Sequence, residues 1–145
     1  MKVKFIVVLL LFFTIGNAQK TVFELIDPDS SGIHFNNYIE DKKDHNILLY
    51  ANYYGGAGVG IADFNNDGLH DIYLAGNLVG DKIYRNEGAL KFIDLTQESG
   101  IIDDGSWSSG VSIADVNNDG LVDIYISKDI FINLFIFFIF AVIWV

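Results

Sequence analysis

Residues 58–77 of this chain, GVGIADFNNDGLHDIYLAGN, recur 52 positions later as residues 110–129, GVSIADVNNDGLVDIYISKD, with 13 of 20 positions identical. Chance does not supply such a match. A fainter echo precedes each copy, FELIDPDSSGI at 23–33 and FIDLTQESGI at 92–101, in which Gly32 and Gly100 correspond. Those glycines are 68 apart, so the first unit carries about 16 residues more than the second, and the surplus is assigned to the polar stretch from His34 to Asn46, a surface loop. Units repeated in tandem at periods of tens of residues bury their faces against one another, which points to propellers or solenoids.

The runs within a unit read as strands. Val59-Gly60-Ile61-Ala62 leads into an acidic loop and Asp71-Ile72-Tyr73-Leu74 leaves it; Lys82-Ile83-Tyr84-Arg85 and Lys91-Phe92-Ile93-Asp94-Leu95 follow, separated by the turn residues Asn86, Glu87 and Gly88. β-Branched and aromatic residues crowd these runs while strong helix formers are sparse. Four short strands make one propeller blade. The second copy is expected to complete only two. The chain is therefore read as all-β, with fewer than two complete blades in units of about 23–91 and 92–129 within a repeat region at 19–129.

The loops carry the chemistry. Asp63, Asn65, Asp67 and Asp71 place side-chain oxygens at positions 1, 3, 5 and 9, with Gly68 at position 6; Asp115, Asn117, Asp119, Asp123 and Gly120 repeat the arrangement. Calcium takes six to eight hard oxygen ligands, and alternate residues of a tight loop can turn theirs inward, with the carbonyl of Leu69 or Leu121 at position 7 completing the shell. Three carboxylates within nine residues should also raise one another's pKa values until a cation relieves them. An Asx-rich turn would explain much of the composition, but not the oxygen at position 9 in both copies. An EF-hand would need Glu at position 12, where Leu74 and Ile126 stand between strand-like runs. At extracellular affinities of about 10⁻⁴ to 10⁻³ M, each site would add about 0.4 to 1.4 kcal/mol near 1 mM calcium, a structural role.

Composition narrows the setting. Lys2 and Lys4, the apolar run from Phe5 to Phe13 and the small residues Gly16-Asn17-Ala18 read as a secretory signal peptide over 1–18. Its removal takes two lysines and no acid, moving the net charge from −10 to −12. So acidic a chain repels nucleic acid and attracts cations. It has no cysteine, which excludes disulfides, thiolate metal sites and cysteine catalysis despite an exported destination. The last segment, 130–145, is apolar apart from Asn133, and no Lys or Arg follows it. Three origins stay open for it: premature termination or a shifted reading frame, a membrane segment short of the usual ~20 residues, or a buried strand or helix.

Other signals are weaker. The run from Gly55 to Gly60 precedes a strand and an acidic loop, where a phosphate cradle would need a helix N-terminus, so it reads as a backbone turn or close strand packing. His34, His45 and His70 have no ligand spacing and are assigned to loop surfaces. Tyr50, Tyr53 and Tyr54 could stack on sugar rings, but core or inter-blade packing is the preferred use.

Together, GVGIADFNNDGLHDIY, KIYRNEG, KFIDLTQESGI and WSSGVSIADVNNDGLVDIY resemble the FG-GAP or VCBS repeat family, over about Phe23 to Asp129. That family includes the integrin α-chain N-terminal propeller and bacterial exported proteins akin to cartilage acidic protein, often with an ASPIC/UnbV domain. The resemblance implies a seven-bladed β-propeller, calcium on the loop oxygens named above, and surface or secreted roles in adhesion or glycan contact. The Phe-Gly and Gly-Ala-Pro elements are present only loosely, as Tyr54-Gly55-Gly56-Ala57 without the proline, and the blade count is that of an N-terminal fragment. The expected function is an exported, non-enzymatic calcium-binding scaffold for extracellular protein or carbohydrate. The alternatives are part of a substrate-binding or catalytic propeller whose active residues lie elsewhere, and a short module held at a membrane by 130–145.

Overall fold

The computed structural model describes residues 23–50, 52–101 and 106–128, together with the backbone of 129 and 138–143. The signal-peptide reading of 1–18 lies outside them. The described chain is all-β apart from one short helix. A four-stranded antiparallel sheet runs in the order β1 (Val59–Ala62), β2 (Asp71–Leu74), β3 (Lys82–Asn86), β4 (Phe92–Asp94). A second sheet contains β5 (Trp107–Ala114), β6 (Asp123–Asp129) and β7 (Phe138–Ile143). Each strand pairs with its neighbour in sequence, as in the meander of a propeller blade. A closed propeller needs about four to eight such blades, so the described residues form part of one.

The repeat is visible in the register. Ala62 faces Asp71 and Ala114 faces Asp123; Ile61 faces Ile72 and Ile113 faces Ile124. Thus the same eight-residue connection closes the first hairpin of each sheet. β4 closes the first sheet by pairing with β3, as the fourth strand expected of that blade. Two details differ from the sequence reading. Asn86 extends β3 instead of opening the turn, pairing with Phe92 while its N–H donates to the Asp71 carboxylate (2.8 Å). The second sheet gains a third strand, since Phe138–Ile143 pairs along β6, so two strands was an undercount. Within the 130–145 segment the described residues, Phe138–Ile143, are a strand. No helix among the described residues is long and apolar enough to cross a membrane.

The helix, α1 (Pro28–Ser31), is a single turn set by Pro28 at its start and ended by Gly32, whose φ of 80° is left-handed. The amide of Ser31 donates to the Asp27 carbonyl (3.0 Å). In the matching segment the Ser99 amide donates to the Leu95 carbonyl (2.9 Å) and Gly100 takes a φ of 72°. The faint echo is thus a shared local fold. The inserted stretch after Gly32 lacks regular structure apart from a bridge between Lys42 and His45, as a surface loop should.

The two sheets bury one face of each against the other. Phe64, Tyr73, Ala75 and Ile83 from the first sheet meet Ile124 and Ile126 from the second, with Val111 and Ile113 packed alongside. Contact is closest along β1 and β5. A side chain on Gly58 would lie 2.4 Å from the backbone nitrogen of Val111, and one on Gly60 would lie 2.9 Å from both Ile113 Cδ1 and Val111 Cγ1. The glycine run therefore serves close strand packing. Tyr53 is fully buried, 5.4 Å ring to ring from Trp107 at the start of β5, and Tyr50 lies 5.6 Å from the same indole. These two tyrosines pack on the second blade, while Tyr54 stays exposed.

Candidate functional site

Both acidic loops fold through the same hydrogen bonds. In the first, Asp63 accepts from the amides of Asp67 (Oδ1, 3.1 Å) and Gly68 (Oδ2, 2.8 Å), and Asn65 Oδ1 also accepts from the Asp67 amide (3.1 Å). Asp67 Oδ1 accepts from the Leu69 amide (2.8 Å), and its Oδ2 accepts from Asn65 Nδ2 (2.8 Å). In the second, Asp115 accepts from Asp119 (3.2 Å) and Gly120 (2.9 Å), and Asp119 from Leu121 (2.8 Å) and Asn117 Nδ2 (2.7 Å). The backbone supplies the curvature at two points per loop: Asn66 and Asn118 have φ of 58° and 62°, Gly68 and Gly120 of 88° and 90°. Asparagine and glycine are the residues that tolerate this region.

Position 9 behaves differently from positions 1, 3 and 5. Asp71 is 3% exposed, and its carboxylate takes the amides of Phe64 (3.2 Å) and Asn86 (2.8 Å). Asp123 is 4% exposed and takes the amide of Val116 (2.9 Å). These aspartates pin the loop mouth to the sheet. Asp63, Asn65 and Asp67 point their oxygens into the exposed part of the loop. Among the described residues no three His, Cys, Asp or Glu side chains gather closely enough to hold a metal by themselves. An ion here would need the asparagine and backbone oxygens as well.

The expected mutual raising of the loop carboxylates does not occur at Asp67. Its pKa is lowered, first by the side-chain hydrogen bond from Asn65 and then by the Leu69 amide. Donors aimed at the charged form outweigh like-charge repulsion in so exposed a loop.

The family described as FG-GAP-like repeat matches residues 63–126, which begins on the first loop aspartate and ends in β6. That stretch is similar to an FG-GAP-like repeat. Among curated proteins it is similar to cartilage acidic protein 1 of Xenopus tropicalis, 32% identical over 72 residues, covering 50% of this chain and 11% of that protein. The human and mouse proteins of that name are 31% and 30% identical over 74 residues, covering 51% of this chain and 11% and 12% of theirs. The match thus spans roughly a tenth of these relatives' length. No solved structure matches the chain.

The described residues also contain a polar joint that the sequence does not announce. Asp81, 5% exposed, accepts from the Tyr73 hydroxyl (2.7 Å), the Gly76 amide (2.7 Å) and the Ser108 hydroxyl (2.9 Å), and lies 4.0 Å from Lys128 Nζ. Tyr73 and Gly76 belong to the first blade, Ser108 and Lys128 to the second. Burial, then the Asp81 charge and hydrogen bond, push the Tyr73 hydroxyl far above its usual value. Asn77, 2% exposed, donates to the carbonyls of Gly56 (3.1 Å) and Ser108 (3.0 Å) and exchanges two bonds with Asn37 from the inserted loop (2.6 and 2.9 Å). A lone Asp and a lone Asn in a loop have no periodicity. The only trace was that Asn77 ends the repeated segment and Asp81 stands just before a strand. A cavity of about 270 Å³ opens beside this joint between His34, Phe35, Asp81, Lys82 and Thr96. The histidines hold the loop positions expected of them; His34 lies 3.9 Å from Asp29 and His45 3.4 Å from Asp44.

Proposed function

We propose that this chain is an extracellular, non-enzymatic repeat scaffold in which each acidic loop holds one calcium ion. The observation that carries the reading is the identical shaping of two oxygen-lined loops 52 residues apart. Asp63, Asn65, Asp67 and Asp71 with the Leu69 carbonyl would hold one ion, and Asp115, Asn117, Asp119 and Asp123 with the Leu121 carbonyl the other. The donor set is all oxygen, as a hard cation requires. A carboxylate oxygen that accepts one amide keeps a second lone pair, so the hydrogen bonds that shape the loop leave capacity for a metal. Asp67, held below its ordinary pKa by Asn65 and Leu69, is ionised at neutral pH. Bound calcium would fix the loops and, through Asp71 and Asp123, the hairpins that carry the blades.

Export is supported by the charged, apolar and small-residue pattern of 1–18 and by the acidic balance of the chain. A contact role is supported by the inserted loop and the turn after it, where Tyr38, Leu48, Leu49 and Tyr54 are 61%, 93%, 67% and 59% exposed. Apolar side chains collected on a loop are a surface for protein or carbohydrate.

Calorimetric titration of the full chain with calcium tests the metal sites. Two ions per chain are expected, with dissociation constants of about 10⁻⁴ to 10⁻³ M. Asp67→Ala should remove one ion and Asp119→Ala the other. Two unaltered binding events in the double variant would overturn the assignment.

A further inference from the structure

The first acidic loop has a charged neighbour that its own nine residues do not include. Tyr84 of β3 faces Ile72 of β2, and the amide of Asn86 donates to the Asp71 carboxylate (2.8 Å), so Arg85 between them stands beside the loop mouth. The side of Arg85 borders a small cavity of about 30 Å³ together with Phe64, Asn65, Asp71, Ile83 and Leu95. Two of these, Asn65 and Asp71, belong to the oxygen set of the loop. The guanidinium field reaches the loop tip as well: the Asp67 pKa, lowered first by Asn65 and then by the Leu69 amide, is lowered further by the charge of Arg85. A cation placed there favours the ionised loop and opposes a second cation entering it.

Glu87 holds that charge in check. Both Nε and Nη2 of Arg85 meet the same oxygen of the Glu87 carboxylate, at 2.7 and 2.6 Å. The turn that follows fixes Glu87 in place. Its amide donates to the Lys91 carbonyl (2.8 Å), and the Lys91 amide donates to the Gly88 carbonyl (3.0 Å). Gly88, Ala89 and Leu90 take φ of 85°, 51° and 58° in succession. Left-handed backbone at an alanine and a leucine is uncommon and persists where the surrounding structure demands it. Yet both members of the ion pair are more than a third exposed, where such a pair adds little to stability. Its consequence is local and electrostatic. In the second sheet, β7 runs beside β6 and has no charged residue.

We propose that Glu87 sets the calcium affinity of the first loop by clamping Arg85. With the clamp closed, the guanidinium charge is largely cancelled at the loop, and the first loop binds its ion as the second does. With Glu87 neutral, Arg85 repels the incoming ion. The inference rests on the calcium reading of the first loop and adds to it a positioning residue that lies outside the loop.

Calorimetric titration of the full chain in an Asp119→Ala background isolates the first loop. Adding Glu87→Gln should weaken calcium binding there about three- to tenfold at low salt, the size expected when one unit charge acts on a divalent ion from just outside its ligands, and less at high salt. Adding Arg85→Gln as well should return the affinity to within about twofold of the Asp119→Ala chain. A structural loss at the turn would not be repaired by removing a second side chain, so the rescue separates charge from folding. Unaltered binding in the Glu87→Gln chain, or weakening that Arg85→Gln fails to relieve, would overturn the proposal and leave the loop a calcium site. No binding in the Asp119→Ala chain itself would overturn the calcium reading, and this inference with it.

Discussion

The two blades share one hairpin sequence and differ in their neighbours. Their loops share a common set of bonds, from the Gly68 and Gly120 amides on Asp63 and Asp115 to the buried Asp71 and Asp123, each holding an amide of its own loop. Their faces do not agree. Ile61 is 59% exposed where Ile113 is packed, and Tyr73 is at 0% where Tyr125 is partly open. Identical short-range chemistry makes identical turns, because every group that shapes them lies within nine residues. Burial is decided by whatever sheet lies alongside, so the same residue type is core in one blade and surface in the other.

The largest effect should come from breaking the joint between them. Asp81→Ala takes the acceptor from two hydroxyls and one amide and the counter-charge from near Lys128. A loss of about 3 to 5 kcal/mol is expected in urea unfolding, with Trp107 fluorescence following the second blade away from the first. Next, Gly58→Ala should cost about 1 to 3 kcal/mol by driving a methyl into the Val111 backbone, whereas Gly110→Ala should stay within about 0.5 kcal/mol. Equal losses at the two glycines would mean that the blade faces are not inequivalent.

Calcium sharpens the other half of the comparison. Because the loops match, each should add the same increment near 1 mM calcium, about 0.4 to 1.4 kcal/mol, removed singly by Asp67→Ala or Asp119→Ala in calcium-dependent melting. The smallest effect belongs to the surface pair of Lys82 and Asp94, 2.9 Å apart and both more than a third exposed. Lys82→Met should cost about 0.2 to 1 kcal/mol, less at high salt. Partial burial raises the Asp94 pKa, but Thr96 and Lys82 outweigh it and the net shift is downward, so this contribution is present above pH 3.8 and fades as pH falls through the folded value. Lys82 is raised, first by its hydrogen bond to Asp94, so its share is full below pH 10.5 and fades as pH rises through its folded value. Melting curves between these limits should show the Lys82→Met difference constant.

Much of this was legible in the residues. The strands β1 and β2 were readable to the residue, since alternation and the flanking acidic loops mark both ends. β3 and β4 shifted by one residue or two, because their ends are fixed by long-range bonds such as the Asn86 amide to Asp71. β7 was left as one of several readings, since an unbroken apolar run has the same appearance as a strand, a helix or a membrane segment. The loop oxygens of Asp63, Asn65 and Asp67 were legible from spacing alone; the use of Asp71 to hold the amides of Phe64 and Asn86 was not. Asp81, Asn77 and Ser108 were illegible, because their partners come from both blades.

The sequence by itself determined the repeat, the strand type, the turn at each loop and the ionic character of the loop tips, all of which depend on residues close along the chain. Tertiary structure alone decided which face of each blade is core, which glycine must be glycine, and that a buried aspartate with three donors ties the blades together. Those outcomes depend on desolvation and close contact between segments tens of residues apart, which no local spacing encodes.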